Sequence, residues 1–447
     1  MIRTWGALFL AIVLYPITAS AQQSSGPATT PDPVSADDDA ENNQPQQSPE
    51  SIEELRRRLD ILAAEVEKLR SGEPDTIELS DDRRRALGLA PSAAATYRRK
   101  SEGVAFAGYG EMLLENFSAE SESGAAGAPT TRLDFLRAVL YAGYRFNERF
   151  LFNSEIEVEH ANEIFVEFAY VDYVLNNHLN LRGGLLLLPL GLVNEFHEPN
   201  VFIGARRPET EQRIIPSTWR ENGGGVLGAY GPVNFRAYVT NGFNGAGFTS
   251  AGLRGGRQRG VQARAANMAF SGRLDVTPIP GVSGGVGVYD GGSGQEQVVL
   301  DGERLDVRTT VAEVHVQAQV RGFDVRGLFA RGTVNDAGDA SRALRLAVNA
   351  PIAERMDGGY VQAGYNLLSQ TRYTMAVTPY VRYEQVDTQA RIPTGFTRDL
   401  TRDGEFTTLG VDFKPIPNVV LKTDYQWITN ASRTGRSQFN MNLGYAF

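Results

Sequence analysis

The sequence contains no cysteine. That removes both a disulfide framework and a thiolate metal site. Lysine is scarce: Lys68, Lys100, Lys414 and Lys422 are the only four among 44 basic residues, so the other 40 are arginine. Long apolar runs are missing as well. After the first 21 residues, no stretch reaches the roughly 20 apolar residues that a spanning helix needs. The formal charge is −9, which does not suggest nucleic acid as a partner. The four histidines, His160, His178, His197 and His315, show no spacing with a serine and an acid that would suit a barrel lipase. No glycine loop that cradles phosphate precedes a helix pattern. Asn335-Asp336-Ala337-Gly338-Asp339 offers oxygens to Ca²⁺, but it reads as a turn. The chain is therefore not expected to be an enzyme, and neither a cofactor nor a metal is expected.

What is present is glycine (47 residues), Phe (22) and Tyr (17). The last nine residues are the most informative. Phe439, Met441, Leu443, Tyr445 and Phe447 alternate with Asn440, Asn442, Gly444 and Ala446. A strict period of two gives a strand with one greasy face. Ending on an aromatic carboxylate, it resembles the assembly signal of bacterial outer-membrane barrels. One face would meet lipid and the other a watery lumen.

In chain order, residues 1–21 read as a secretory signal: Arg3, an apolar core from Trp5 to Leu14, then Ala19-Ser20-Ala21. Residues 22–47 are a disordered acidic linker. Residues 48–71 are expected to form a coiled-coil helix, because Ile52, Leu55, Leu59, Leu62, Val66 and Leu69 follow a heptad seam. Residues 72–100 read as a connector with one short helix, Arg83 to Leu87, started by Ser80 with Asp81 and Asp82.

Residues 101–447 then give sixteen alternating runs. They fall near 103–116, 130–146, 149–160, 164–175, 179–189, 222–230, 233–241, 263–276, 281–290, 309–320, 323–332, 356–368, 372–385, 405–415, 418–429 and 436–447. Short connections with turn chemistry, such as Asn147-Glu148, Gly231-Pro232 and Arg321-Gly322, alternate with long ones. An even strand count with loops sorted by length describes a transmembrane antiparallel β-barrel in the outer membrane, preceded by a coiled coil. Fourteen or eighteen strands would also fit the boundaries.

The barrel resembles the phosphate-selective porin O and P family. The likeness lies in Gly108-Tyr109-Gly110-Glu111, Leu133-Asp134-Phe135 with its hairpin to Phe152-Asn153, Pro379-Tyr380-Val381-Arg382-Tyr383-Glu384, Val420-Leu421-Lys422-Thr423-Asp424-Tyr425 and the closing strand. This resemblance implies a homotrimeric sixteen-stranded porin. The family's selectivity is associated with clustered channel lysines, and this barrel has only Lys414 and Lys422, so phosphate selectivity is not carried over.

Charged rows must face the lumen, since a charge facing lipid costs kilocalories. Lumen-wall candidates are Glu111, Glu155, Glu157 and Glu167 on early strands and Arg236, Arg382 and Lys422 on later ones. This split suggests a transverse field across a water-filled lumen. The long connection 190–221 is expected to fold inward, with Phe202-Ile203 and Ile214-Ile215 packing on the wall. It supplies the constriction candidates Glu195, Glu198, Arg206, Arg207, Arg213 and Arg220. The loop 242–262 has Arg254, Arg257 and Arg259 and no acid, which would draw anions or bind anionic lipid groups.

The expected function is passive diffusion of small hydrophilic solutes, including anions. Outer-membrane lipid and further copies of the chain would be partners, and the periplasmic N-terminal segment could reach peptidoglycan. The alternative is a barrel-anchored tether or surface adhesin that works through the coiled coil or outer loops.

Overall fold

A computed structural model of the chain describes residues 53–54, 56–57, 59–60, 75–128 and 130–447. The expected signal and acidic linker lie outside the described residues. So does the coiled-coil seam, apart from Leu59. The six described positions between 53 and 60 are helical.

The strands are β1 (Gly103–Phe117), β2 (Thr131–Arg145), β3 (Phe150–Glu159), β4 (Glu163–Asn176), β5 (Leu179–Leu187), β6 (Arg220–Tyr230), β7 (Val233–Asn241), β8 (Met268–Ile279) and β9 (Val282–Gly291). A two-residue hairpin follows, β10 (Val299–Leu300) and β11 (Glu303–Arg304). Then come β12 (Thr309–Val320), β13 (Phe323–Val334), β14 (Arg355–Tyr365), β15 (Ala376–Arg391), β16 (Asp403–Ile416), β17 (Val419–Asn430) and β18 (Gln438–Ala446). All except β10 and β11 form one closed barrel of sixteen strands, each paired with its chain neighbours, with β1 against β18 at the seam. Closure removes the sheet edges that lipid could not hydrate.

The seam explains the closing strand. Tyr109 pairs with Ala446 and Phe117 with Gln438, and Gly108 and Phe447 exchange both backbone hydrogen bonds, at 3.0 and 2.8 Å. A Cβ on Gly108 would lie 2.5 Å from the Phe447 ring and 2.6 Å from Val139 O, so glycine lets the terminal aromatic lie flat against β1. Phe439, Met441 and Leu443 face outward, whereas Gln438, Asn440 and Asn442 are buried inside. The same alternation puts Val314 and Val316 outside and Glu313, His315 and Gln317 inside.

Short turns gather at one end: 146–149, 177–178, 231–232, 280–281, 321–322 and 417–418. Long loops gather at the other, except that β3 and β4 are joined there by only 160–162. At the short-turn end 366–375 is the exception. The twelfth and thirteenth runs were expected to be separated by only 369–371, but β14 stops at Tyr365 and β15 starts at Ala376. The Asn366 side chain caps this excursion, its Oδ1 accepting from Leu368 N (3.0 Å) and Val377 N (3.2 Å).

Residues 75–100 are no free connector. Ser80 caps the helix Asp81–Ala86, its Oγ accepting from Arg83 N at 3.2 Å. The stretch that follows enters the barrel at the short-turn end. Leu87, Leu89, Ala90, Ala93, Ala94 and Tyr97 are buried against Tyr141, Leu151, Phe168, Tyr170, Leu227 and Tyr238 of the wall. Wall glycine makes room: a Cβ on Gly143 would sit 1.9 Å from Thr96 Oγ1.

Candidate functional site

The second insert is the loop 188–219, anchored where it leaves and rejoins the barrel. Leu188 N donates to Trp219 O at 3.0 Å. Asn194 clasps the same two loop ends: its Nδ2 donates to Leu188 O (2.7 Å) and Trp219 O (3.0 Å), and its Oδ1 accepts from Trp219 N (2.6 Å). The Trp219 ring stacks on Phe243 at 4.3 Å and packs on Tyr289. Ile214 and Ile215 are fully buried in this cluster.

From that anchor the loop crosses the lumen. Lys422 Nζ donates to Phe202 O (2.8 Å) and Gly204 O (3.0 Å) and lies 3.8 Å from the Phe202 ring centroid. Ala205 N donates to Asp424 Oδ2 at 2.8 Å, and Gly204 N to Asp412. Arg382 Nη2 reaches Arg206 O at 3.2 Å. Tyr360 Oη and Val193 N both donate to Glu211, each at 2.6 Å. Burial raises the Glu211 pKa, and those two donors hold the rise back.

The expected constriction residues are all on or at the foot of this loop, but they do not converge on one point. Glu195 lies 3.5 Å from Arg236 on β7. Glu198 Oε1 accepts from Ser92 N at 2.8 Å, tying the loop to the N-terminal insert. Burial pushes the Glu198 carboxyl up to about 7, against that backbone donor. Arg206 pairs with Glu115 and Glu209, and Arg213 with Glu209 at 2.8 Å. Arg220 approaches Glu167 at 3.4 Å. Arg207 has no carboxylate within ion-pair distance among the described residues, and burial followed by Arg137 holds its pKa down.

The wall charges do not split into acidic and basic sides. Arg137 on β2 stands between Glu111 (2.8 Å) and Glu157 (3.3 Å). Arg236 pairs with Asp275 at 3.0 Å, and Arg382 with Glu384 at 2.8 Å. Lys422 has Asp412 and Asp424 beside it. Nor does a row of glutamates require a water-filled wall. Glu155 and Glu157 are each 1% exposed, because Tyr109, Arg137 and the inward loop supply donors and cover. Buried charge is tolerated when it is paired and hydrogen-bonded.

Two of the cavities beside the loop lie toward opposite ends of the barrel. The one toward the long-loop end has a volume of about 580 Å³. Its lining includes eight arginines (Arg132, Arg137, Arg206, Arg207, Arg220, Arg254, Arg257 and Arg259) against five acids (Glu111, Glu115, Asp134, Glu157 and Glu159). Arg257 Nη1 donates to Pro216 O (2.8 Å) and Thr218 O (2.6 Å), and Arg254 to Ser217 O. Neither has a carboxylate partner among the described residues. Burial, then the neighbours Arg254, Arg259 and Arg220, push Arg257 down to about 8. A guanidinium keeps its proton in proteins, so an anion relieves that crowding. The second cavity, about 640 Å³, opens at the short-turn end between the two inserts and is lined by Arg84, Arg85, Glu198, Asp412 and Lys414 among others. Phe202 lines both cavities.

Sequence reasoning missed Arg137, Tyr109 and His197, which organise the early wall. Arg137 was legible as the charged member of a period-two row with Val139 and Tyr141, all of which face inward. His197 carries no local signal. The N-terminal insert left one trace: no charge occurs from Ala86 to Tyr97, in an otherwise charged stretch.

This geometry is a porin-like fold: a closed sixteen-stranded antiparallel barrel with a long loop folded into its lumen. Among solved structures, the chain is similar to an anion-selective porin from Comamonas acidovorans (12% identity, TM-score 0.50, 78% of this chain and 100% of that one). It is likewise similar to Pseudomonas putida OprB (10% identity, TM-score 0.50, 77% and 94%). At that identity the likeness is one of fold. No family model matches the sequence. A protein of Aquifex aeolicus (strain VF5), described only as uncharacterized, is 36% identical over 354 residues, covering 76% of this chain and 78% of the relative. The chain belongs to that protein's family.

Proposed function

We propose that the protein is a porin for small hydrophilic anions, assembled as a homotrimer, with its long loops outside the cell and its short turns and N-terminal segment in the periplasm. The observation that carries this reading is the pair of cavities that share Phe202 as a lining residue, the outer one dominated by guanidinium groups. An anion drawn into the arginine vestibule passes Phe202 beside Lys422 and leaves past Lys414. The constriction is then the loop backbone at Phe202 to Arg207, with Arg206, Arg207 and Arg220 on its outer side and Glu198 on its inner side. Glu195 and Arg213 hold the loop in place. Glu111, Glu155, Glu157, Glu167, Arg236 and Arg382 act as the wall that fixes it. The resemblance to the O and P family supports phosphate as one solute to try, although lysines are few.

Planar-bilayer recording on the folded full-length protein under a salt gradient tests the reading. Steps in groups of three with an anion-selective reversal potential are expected, and Phe202→Ala should enlarge the steps. Millimolar phosphate should reduce the chloride current if it binds in the vestibule. The N-terminal insert in the lumen favours a second reading, a tether whose barrel is an anchor and whose upstream segment holds peptidoglycan or another protein. Well-inserted protein without conductance would select it.

A further inference from the structure

Glu155 on β3, Glu167 on β4 and His197 of the inward loop bring three ligand atoms within 4.8 Å of one another. All three side chains are buried. His197 Nε2 lies 3.4 Å from Glu155 Oε1 and 3.7 Å from Glu167 Oε2. Neither His197 Nε2 nor Glu167 Oε2 has a hydrogen-bond partner. Two buried polar atoms aimed at the same small space, and unpaired, are expensive unless something sits between them.

The imidazole is set up for a ligand. Its Nδ1 lies 2.9 Å from Asn194 O. A carbonyl only accepts, so Nδ1 is the donor, and in the neutral imidazole Nε2 then presents its lone pair to the carboxylates. This carbonyl–histidine arrangement is the usual support of a metal-bound imidazole. The spacing agrees. Ligands at about 2.0–2.2 Å from a tetrahedral ion stand roughly 3.3–3.6 Å apart, close to the two separations found. The carboxylates are supported too: Tyr109 Oη donates to Glu155 Oε1 at 2.5 Å, and Arg220 lies against Glu167 Oε1.

We propose that Glu155, Glu167 and His197 bind one divalent first-row transition ion, which staples the inward loop to the barrel wall. One imidazole and two carboxylates suit zinc or a neighbouring ion and leave a fourth position for water. Three ligands are too few for a Ca²⁺ site. Arg220 lies 3.4 Å from Glu167 and lines the arginine vestibule, which puts that cavity next to the site. The site holds whether or not the channel prefers anions. Its failure would be seen in metal content and the failure of the porin reading in conductance.

The test uses the folded, heat-modifiable full-length protein in detergent, stripped with a chelator and titrated with Zn²⁺, and with Co²⁺ as a spectroscopic probe. One ion per chain is expected, with visible d–d bands for Co²⁺. His197→Ala should abolish both. Tyr109→Phe removes only a supporting bond, and should weaken binding roughly tenfold while leaving all three ligands intact. Wild-type protein that takes up no Zn²⁺, or as much as His197→Ala does, would overturn the proposal. The triad would then be a charged imidazole between two carboxylates.

Discussion

The two inserts fill the same barrel by different means. The loop 188–219 is held at both ends by strands, and it meets the far wall through charge: Lys422, Asp412, Asp424 and Arg382 all bond to its backbone. The N-terminal segment rests mainly on an apolar, aromatic patch formed by Tyr141, Phe168, Tyr170 and Tyr238, with polar ties from Arg236 to Arg85 O, Tyr141 to Ala93 O and Ser92 N to Glu198. Backbone carbonyls and amides paired to wall charges fix a loop in register and make it a permanent narrowing. Apolar contact is less directional, so a segment seated mainly by it is the easier of the two to displace. The porin reading therefore assigns the loop to the constriction and the N-terminal segment to a removable cover.

The largest expected effect comes from removing that cover. A chain lacking residues 22–100 should still fold as a heat-modifiable barrel, because no barrel strand is touched, and its channel steps should be larger than those of the full chain. Unchanged steps would mean that the segment does not stand in the path. Trp219→Ala attacks the other insert at its anchor. Losing a fully buried Trp stacked on Phe243 should cost about 3–5 kcal/mol, read as a lower unfolding temperature with noisy, larger steps.

A pH effect links the inserts. Glu198 holds Ser92 N, and its folded pKa of about 7 lies above the ordinary carboxylate value. The folded state therefore binds the proton more readily than the unfolded one between those two values, and stability falls as pH rises through that window. Docking of the N-terminal segment, followed by protease protection of residues 75–100, should be firmer at acidic pH than above 7. Glu198→Gln should flatten the dependence. Retained pH dependence in that variant would place the titrating group elsewhere. Tyr97→Phe should have the smallest effect. It loses the hydroxyl bond to Asp172, but Asp172 keeps two bonds from Arg182 at 2.8 Å. About 1 kcal/mol is expected, visible only as a slight loss of protection in the segment.

The barrel itself was legible because its strands obey a single rule, apolar toward lipid and polar inward, which one sequence displays at every second residue. The closing strand and β12 show it without exception over several positions. Loop sorting was legible because turn residues mark the short end. Ile214-Ile215 and Phe202-Ile203 betrayed the inward loop for the same physical reason, since apolar pairs in a charged loop need a surface to cover. What could not be read was which inward groups meet. Glu155 and His197 are neighbours only because the loop folds back on β3, and nothing local encodes that. The transverse field failed on this point: Arg137, Asp275 and Glu384 lie on the walls that composition had assigned to the opposite sign. The N-terminal insert was read as a connector because small residues such as Ala93 and Ala94 carry no strong pattern, and their burial depends on glycine-bearing wall facing them.

The most direct test is the reversal potential of the full-length protein in a planar bilayer under a salt gradient. Current steps with a potential of the anion-selective sign, moved toward zero by Arg207→Gln with Arg254→Gln, are the expected result. A cation-selective sign, or no steps from protein shown to be inserted and heat-modifiable, would contradict an anion path through the arginine vestibule.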